Sequence, residues 1–202
     1  MTFHDIFIKV HRLYLGSRSP RRKQLLADLR LPFEVWVKED NPEIYSDEMS
    51  QKEVAEFLAK EKSKPYLGEL KAGDILITAD TIVCYRDHIL GKPETREEAI
   101  DSLKQLSGNQ HQVITGVCIS SPDKNYCFSS ETLVKFADLT EAEILYYIDN
   151  FAPFDKAGAY GIQEWIGYIG VERIEGSYFN VMGLPVQKLY TELKKFTGLD
   201  SH

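Results

Sequence analysis

The stretch DILITADTIVCY, residues 74–85, does most to limit what this chain can become. It is rich in β-branched residues and almost wholly apolar. An amphipathic surface strand would alternate; this one does not, so it reads as a strand buried on both faces. Such a strand needs neighbours in a sheet and helices over that sheet. Asp80 breaks the run. A buried carboxylate is costly unless a hydrogen bond, a cation or a metal meets it. Asp80 is therefore a candidate functional residue, on a strand end that opens into a cleft.

The flanking segments supply the cover. LYLGS reads as a short buried strand, and PFEVWV as another. Between them Ser19 is an N-cap, Pro20 suits the first helical position, and Leu25, Leu26 and Leu29 make an apolar face. Residues 38–50 are acidic and loop-like. Ser50 with Glu53, Thr95 with Glu98, and Thr140 with Glu143 have capping-box spacing. They predict helices to about Lys64, Leu106 and Asn150. RDHILGKP reads as a turn and return. HQVITGVCIS and NYCFSSETLVKFAD alternate around the turn signal SPDKN, which predicts a long hairpin. LPVQKLYTELKKF is a terminal helix with Leu189, Leu193 and Phe196 on one face and Gly198 as its stop. The fold class is α/β: a mixed β-sheet with flanking helices and an antiparallel hairpin, in a single domain spanning 1–202.

Composition narrows the partners. The formal net charge is −7, which opposes broad binding to nucleic acid. No apolar run reaches the length of a membrane span, so no membrane partner is expected. The N-terminus mixes charged residues into its apolar stretch, unlike a signal peptide, and the expected location is cytoplasmic. Cys84, Cys118 and Cys127 are odd in number and far apart, without a C-x-x-C pair. Buried filler is expected of all three, not a disulfide.

On this acidic background LGSRSPRRKQLL places Arg18, Arg21, Arg22 and Lys23 within six residues. With Ser19 as N-cap, Arg21 and Arg22 fall in the first helical turn, the end where the helix dipole disfavours cations. An anionic ligand would reconcile them, since free backbone N–H groups and two guanidinium forks favour phosphate. The alternative for that stretch alone is a solvated helix start that tolerates the cost. The P-loop, dinucleotide, zinc-protease and acyl-transfer signatures are absent from the sequence. His111 reads as a structural residue, Tyr160 and Tyr178 as packing residues. Asp155 stands evenly between a structural role and holding a metal or basic neighbour.

Several stretches in order resemble one family, the Maf-like nucleoside triphosphate pyrophosphatases. They are GSRSPRRKQLL, AKEKSK, ADTIV with LGKP, LSGNQHQVITGV, DKAGAYGIQ and IEGSYFNVMGLP, spanning about Leu13 to Phe196. The resemblance implies an ITPase-like (Maf/Ham1) architecture with two lobes around a substrate cleft. It implies hydrolysis of a nucleoside triphosphate to monophosphate and pyrophosphate with a divalent cation, Mg²⁺ or Mn²⁺. Asp80 matches the family's catalytic base. Arg21, Arg22, Lys62 and Lys92 match phosphate-site positions, with Ser17 at the same pocket edge. Arg21, Thr81 and Gln163 match positions that mark the subgroup acting on dTTP and UTP. Asp80 and Glu43 are the expected metal ligands. The resemblance also admits a homodimer. The sequence departs from the family pattern at Gly16 and Ser63, where Ala is common. It departs again at Glu164 and Trp165, where a Gly often follows the glutamine.

In the mechanism these residues imply, the cations neutralise a triphosphate and stabilise the departing pyrophosphate. Asp80 directs water at the α-phosphorus. Gln163, with an amide that both donates and accepts, matches O4 and N3–H of uracil or thymine. Two alternatives stand beside this one: a pyrophosphatase for modified or methylated nucleotides, and a nucleotide-binding regulator of cell division with little catalysis.

Overall fold

The computed structural model describes residues 2–39 and 44–199. Helix α1 (Phe3–Val10) is closed by a capping box between Thr2 and Asp5. Strand β1 (Arg12–Leu15) leads into α2 (Pro20–Asp28) and returns as β2 (Phe33–Val35), parallel to β1. Helix α3 (Gln51–Glu61) starts at the Ser50–Glu53 capping box. It stops earlier than the sequence predicts, because Lys64–Tyr66 with its Pro65 forms a separate 3-10 turn. Strand β3 (Asp74–Tyr85) pairs parallel with β1 through Arg12–Leu15 against Asp74–Ile77. The return strand β4 (His88–Leu90) pairs antiparallel with its end.

Next come α4 (Arg96–Leu106), the hairpin of β5 (Gln110–Ser120) and β6 (Asn125–Phe136), and α5 (Glu141–Phe151). The chain closes with α6 (Trp165–Gly170), β7 (Val171–Glu175), α7 (Tyr178–Met182) and α8 (Val186–Thr197). The seven strands run in the order β2-β1-β3-β5-β6-β7, with β4 attached to β3. The fold is mixed α/β, as the sequence pattern requires. No helix among the described residues is long and apolar enough to cross a membrane.

The chain divides into two compact units. The first holds Met1–Asp80, Thr115–Ser130 and Gly183–His202. Here α3 lies so close to β5 that a Cβ on Gly116 would sit 2.0 Å from the Ala55 carbonyl oxygen. The Thr78 hydroxyl donates to the Ala59 carbonyl at 2.7 Å, tying the end of α3 to β3. A second cluster packs Tyr66, Leu70 and Leu76 with Tyr14 and Trp36. The second unit holds Thr81–Ile114 and Glu131–Met182. Its core joins Val83, Leu103, Phe136, Tyr147, Tyr160 and Ile166. All of these side chains lose water contact, which supplies the main drive for this unit to fold.

Three expectations need correction. Cys118 and Cys127 form a disulfide across β5 and β6. The Ser121 amide donates to the Lys124 carbonyl at the turn. Three residues farther along each strand, that register sets the two cysteines opposite each other, with Cα atoms 4.1 Å apart. Only Cys84 is free and buried, and burial, then Glu131, pushes its thiol up to about 12. The Thr95 cap is half a box: Thr95 accepts from the Glu98 amide, but Glu98 accepts from the amide of Glu94, not of Thr95. Tyr178 is 38% exposed, because α7 is one short turn and cannot bury every face.

Candidate active site

Helix α2 begins as the sequence predicts. The Ser19 hydroxyl accepts from the Arg22 amide, Pro20 sits in the first turn, and no acidic residue balances the dipole there. Ser17 supports the same turn, its hydroxyl accepting from the Ser19 amide at 3.2 Å. Arg21 and Arg22 are both partly buried in this first turn. The Arg22 Nε donates to the Gly183 carbonyl at 2.8 Å, a residue brought in from just before α8. One donor of the guanidinium fork is thus committed to the scaffold, which aims the rest of the group.

Asp80 is 6% exposed, the last residue of the first unit on β3. Its carboxylate accepts a hydrogen bond from the Lys62 ammonium, in an ion pair whose side chains are 13% and 9% exposed. Lys62 occupies the C-cap of α3. The Thr78 hydroxyl anchors that helix end two residues before Asp80, on the same face of the strand. Buried Ser63 adds a hydrogen bond from its hydroxyl to the Lys60 carbonyl at 2.7 Å. The end of α3 is therefore fixed where its ammonium meets the carboxylate. Removing one partner of such a pair strands a buried charge, at a cost of about 3–5 kcal/mol.

Thr81, Lys92 and Gln163 belong to the second unit. Thr81 is the next residue of β3 and is partly buried. Lys92 is exposed in the loop after β4. Gln163 lies in the turn before α6. The structure thus places Ser17, Arg21, Arg22, Lys62 and Asp80 in the first unit, with Lys62 and Asp80 in contact. Glu43 lies outside the described residues.

Side chains distant along the chain hold the Gln163 turn, and of these Tyr147 carried no signal in the sequence. Tyr147 is fully buried, donates its hydroxyl to Glu164 and accepts from the Gly161 amide. Burial, then the Glu164 hydrogen bond, holds that phenol well above its usual range. Lys156 bridges Asp155 at 2.6 Å and Glu164 at 3.2 Å. His111 is a structural residue, as expected, though its partner is an aromatic side chain: its Nε2 meets the Tyr160 hydroxyl at 2.8 Å, and burial lowers its pKa to about 4.

Residues 12–196 match the Maf-like protein family. The chain belongs to the Maf-like family. Among its relatives, a dTTP/UTP pyrophosphatase of Parabacteroides distasonis is 53% identical over 189 residues, 94% of this chain and 98% of the other. A dTTP/UTP pyrophosphatase of Bacteroides fragilis is 50% identical over 185 residues, 92% of this chain and 96% of the other. A HAM1 protein of Coxiella burnetii shares 13% identity, with a TM-score of 0.45, covering 92% of this Maf-like chain and 99% of its own.

Proposed function

We propose that this Maf-like protein hydrolyses nucleoside triphosphates, dTTP and UTP foremost, to the monophosphate and pyrophosphate. The observation that carries the reading is Asp80: a nearly buried carboxylate, paired with Lys62, in a family whose close relatives bear the name dTTP/UTP pyrophosphatase. A site that only bound a triphosphate would need cations and no buried carboxylate.

The Asp80 carboxylate takes a proton from water as the water oxygen bonds to the α-phosphorus. The bond from that phosphorus to the bridging oxygen breaks, and pyrophosphate carries the electron pair away. Arg21 and Arg22, at the positive end of α2, bind the phosphate oxygens and stabilise the charge that moves onto the leaving group. Lys62 pairs with Asp80 before substrate arrives and then turns part of its charge to the phosphates. Lys92 adds a further cation, Ser17 lines the edge of the phosphate site, and Thr81 acts with Gln163 in setting the preferred base. Gln163 reads uracil or thymine.

Among the described residues no group of three or more His, Cys, Asp or Glu forms a metal cage. The donor set at Asp80 is one carboxylate, which suits Mg²⁺ or Mn²⁺ when phosphate oxygens and waters complete the shell. Asp80 would hold such a cation, with Glu43 as the second proposed ligand; when bound, it neutralises phosphate charge. A homodimer and a cytoplasmic location remain part of this reading.

The test is turnover of a nucleoside triphosphate panel with Mg²⁺, with products separated, for the wild type and Asp80→Asn. Pyrophosphate with dTMP or UMP, lost in the variant, supports the reading. Tight binding without turnover by the wild type would favour the regulator, and a preference for a modified nucleotide would favour the alternative substrate class.

A further inference from the structure

Gln163 is a reader of bases only if its amide faces one way. A primary amide is nearly symmetric in shape, with an acceptor at one end and two donors at the other. Uracil and thymine present the O4 acceptor beside the N3–H donor. Cytosine presents the reverse, an N4 donor beside an N3 acceptor. An amide free to flip serves both; an amide of fixed direction serves one.

The second unit contains a knot of side chains around the turn that carries Gln163. The amide of Glu164 donates to the Gly161 carbonyl at 2.9 Å, closing a four-residue turn with Gln163 inside. One tyrosine holds both ends of that turn: the Tyr147 hydroxyl accepts from the Gly161 amide at 3.0 Å and donates to Glu164 Oε2. The other carboxylate oxygen, Oε1, lies 3.2 Å from the Lys156 ammonium, which is itself 8% exposed. Both oxygens of Glu164 are thus held by partners outside the turn. A Cβ built on Gly161 would meet Glu164 Cδ at 2.8 Å, Gln163 Nε2 at 2.9 Å and Glu164 Oε2 at 3.0 Å. The carboxylate and the glutamine amide therefore converge on the space that Gly161 leaves open.

We propose that Glu164, locked by Tyr147 and Lys156, is a positioning residue that fixes the direction of the Gln163 amide and so favours uracil and thymine over cytosine. The proposal rests on the reading of Gln163 as the base contact. The physical reason is charge. Turned about, the amide would set its oxygen lone pairs, in place of an N–H donor, against Glu164 Oε2, the carboxylate oxygen away from the Lys156 contact at Oε1. The carboxylate accepts only the orientation with the NH₂ group on its side. Residue 161 must be small for the two groups to meet there at all.

The experiment compares kcat/KM for dTTP and dCTP in the wild type, Glu164→Gln, Glu164→Ala, Tyr147→Phe and Gln163→Ala, with thermal unfolding followed for each. Glu164→Gln keeps the volume and an acceptor for Tyr147, so it serves where the alanine variant fails to fold. Removing the charge is expected to lower the dTTP-to-dCTP ratio about tenfold, the worth of one hydrogen bond set the wrong way. Tyr147→Phe keeps the charge but frees it, and a smaller fall in the same direction is expected. A loosened unit lowers both substrates together, so an unchanged ratio in both Glu164 variants overturns the proposal. If the ratio collapses in Gln163→Ala and holds in the Glu164 variants, the base reader stands and the positioning role alone fails. If the wild type releases no pyrophosphate from any nucleotide, the parent reading fails and this one with it.

Discussion

Asp80 and His111 are both buried polar residues on strands, and what each one meets sets them apart. Asp80 meets the Lys62 ammonium, a group that can be shared with an incoming anion. His111 meets the Tyr160 hydroxyl and the edges of the Phe136 and Tyr160 rings, surroundings that only pack. Burial lowers the His111 pKa from 6.5 to about 4, so the folded protein keeps this ring neutral while the unfolded chain protonates it. Between those values the unfolded state binds more protons, so stability rises with pH and is lost as pH falls from 6.5 towards 4. His111→Gln is expected to flatten that decline, by up to about 3 kcal/mol across the window. Urea melts taken above pH 6.5 and near pH 4 check it; an identical decline in the variant would place the acid sensitivity elsewhere. The breach in an apolar run exposed Asp80 in the sequence itself. Lys62 carried no such signal, because a lysine on a helix is ordinarily solvated, and only the resemblance pointed to it. Glu164 looked like a mere departure from the family pattern; its partners Tyr147 and Lys156 lie 17 and 8 positions away.

At the scale of elements, α3 against β5 leaves no room for a side chain at residue 116. Gly116→Ala would drive a methyl group to 2.0 Å from the Ala55 carbonyl oxygen and 2.3 Å from its carbon, both backbone atoms. A loss of about 3 kcal/mol or more in chemical denaturation is expected, since neither element can yield without moving its neighbours. A variant as stable as the wild type would contradict this packing. The hairpin makes a separate claim. Thiol titration in denaturant without reductant is expected to find one reactive group, Cys84, and three after reduction; three without reductant would remove the disulfide. Elements with a chemical start signal were legible: α2, α3, α4, α5 and α8 follow their caps, stops and apolar faces. The sequence reading missed α1, although Thr2 and Asp5 have the right spacing. It also passed over α6, β7 and α7, which are five or six residues each and too short for a period to show. The disulfide was missed because counting cysteines along the chain ignores strand register.

Over the whole molecule, the first crossing of the chain from one compact unit to the other falls between Asp80 and Thr81. The residues proposed for phosphate chemistry, Arg21, Arg22, Lys62 and Asp80, lie in the first; Lys92 and the proposed base reader Gln163 lie in the second. No local pattern joins positions 21, 62, 80 and 163, and they were gathered by ordered motifs, not by spacing. The central claim is attack of water on the α-phosphorus under the direction of Asp80. Turnover of dTTP in ¹⁸O-labelled water tests it most directly. The expected result is label in dTMP and none in pyrophosphate, at a rate that Asp80→Asn lowers by about 10²–10⁴-fold. Label in pyrophosphate or in released orthophosphate, or an Asp80→Asn variant as fast as the wild type, would contradict it.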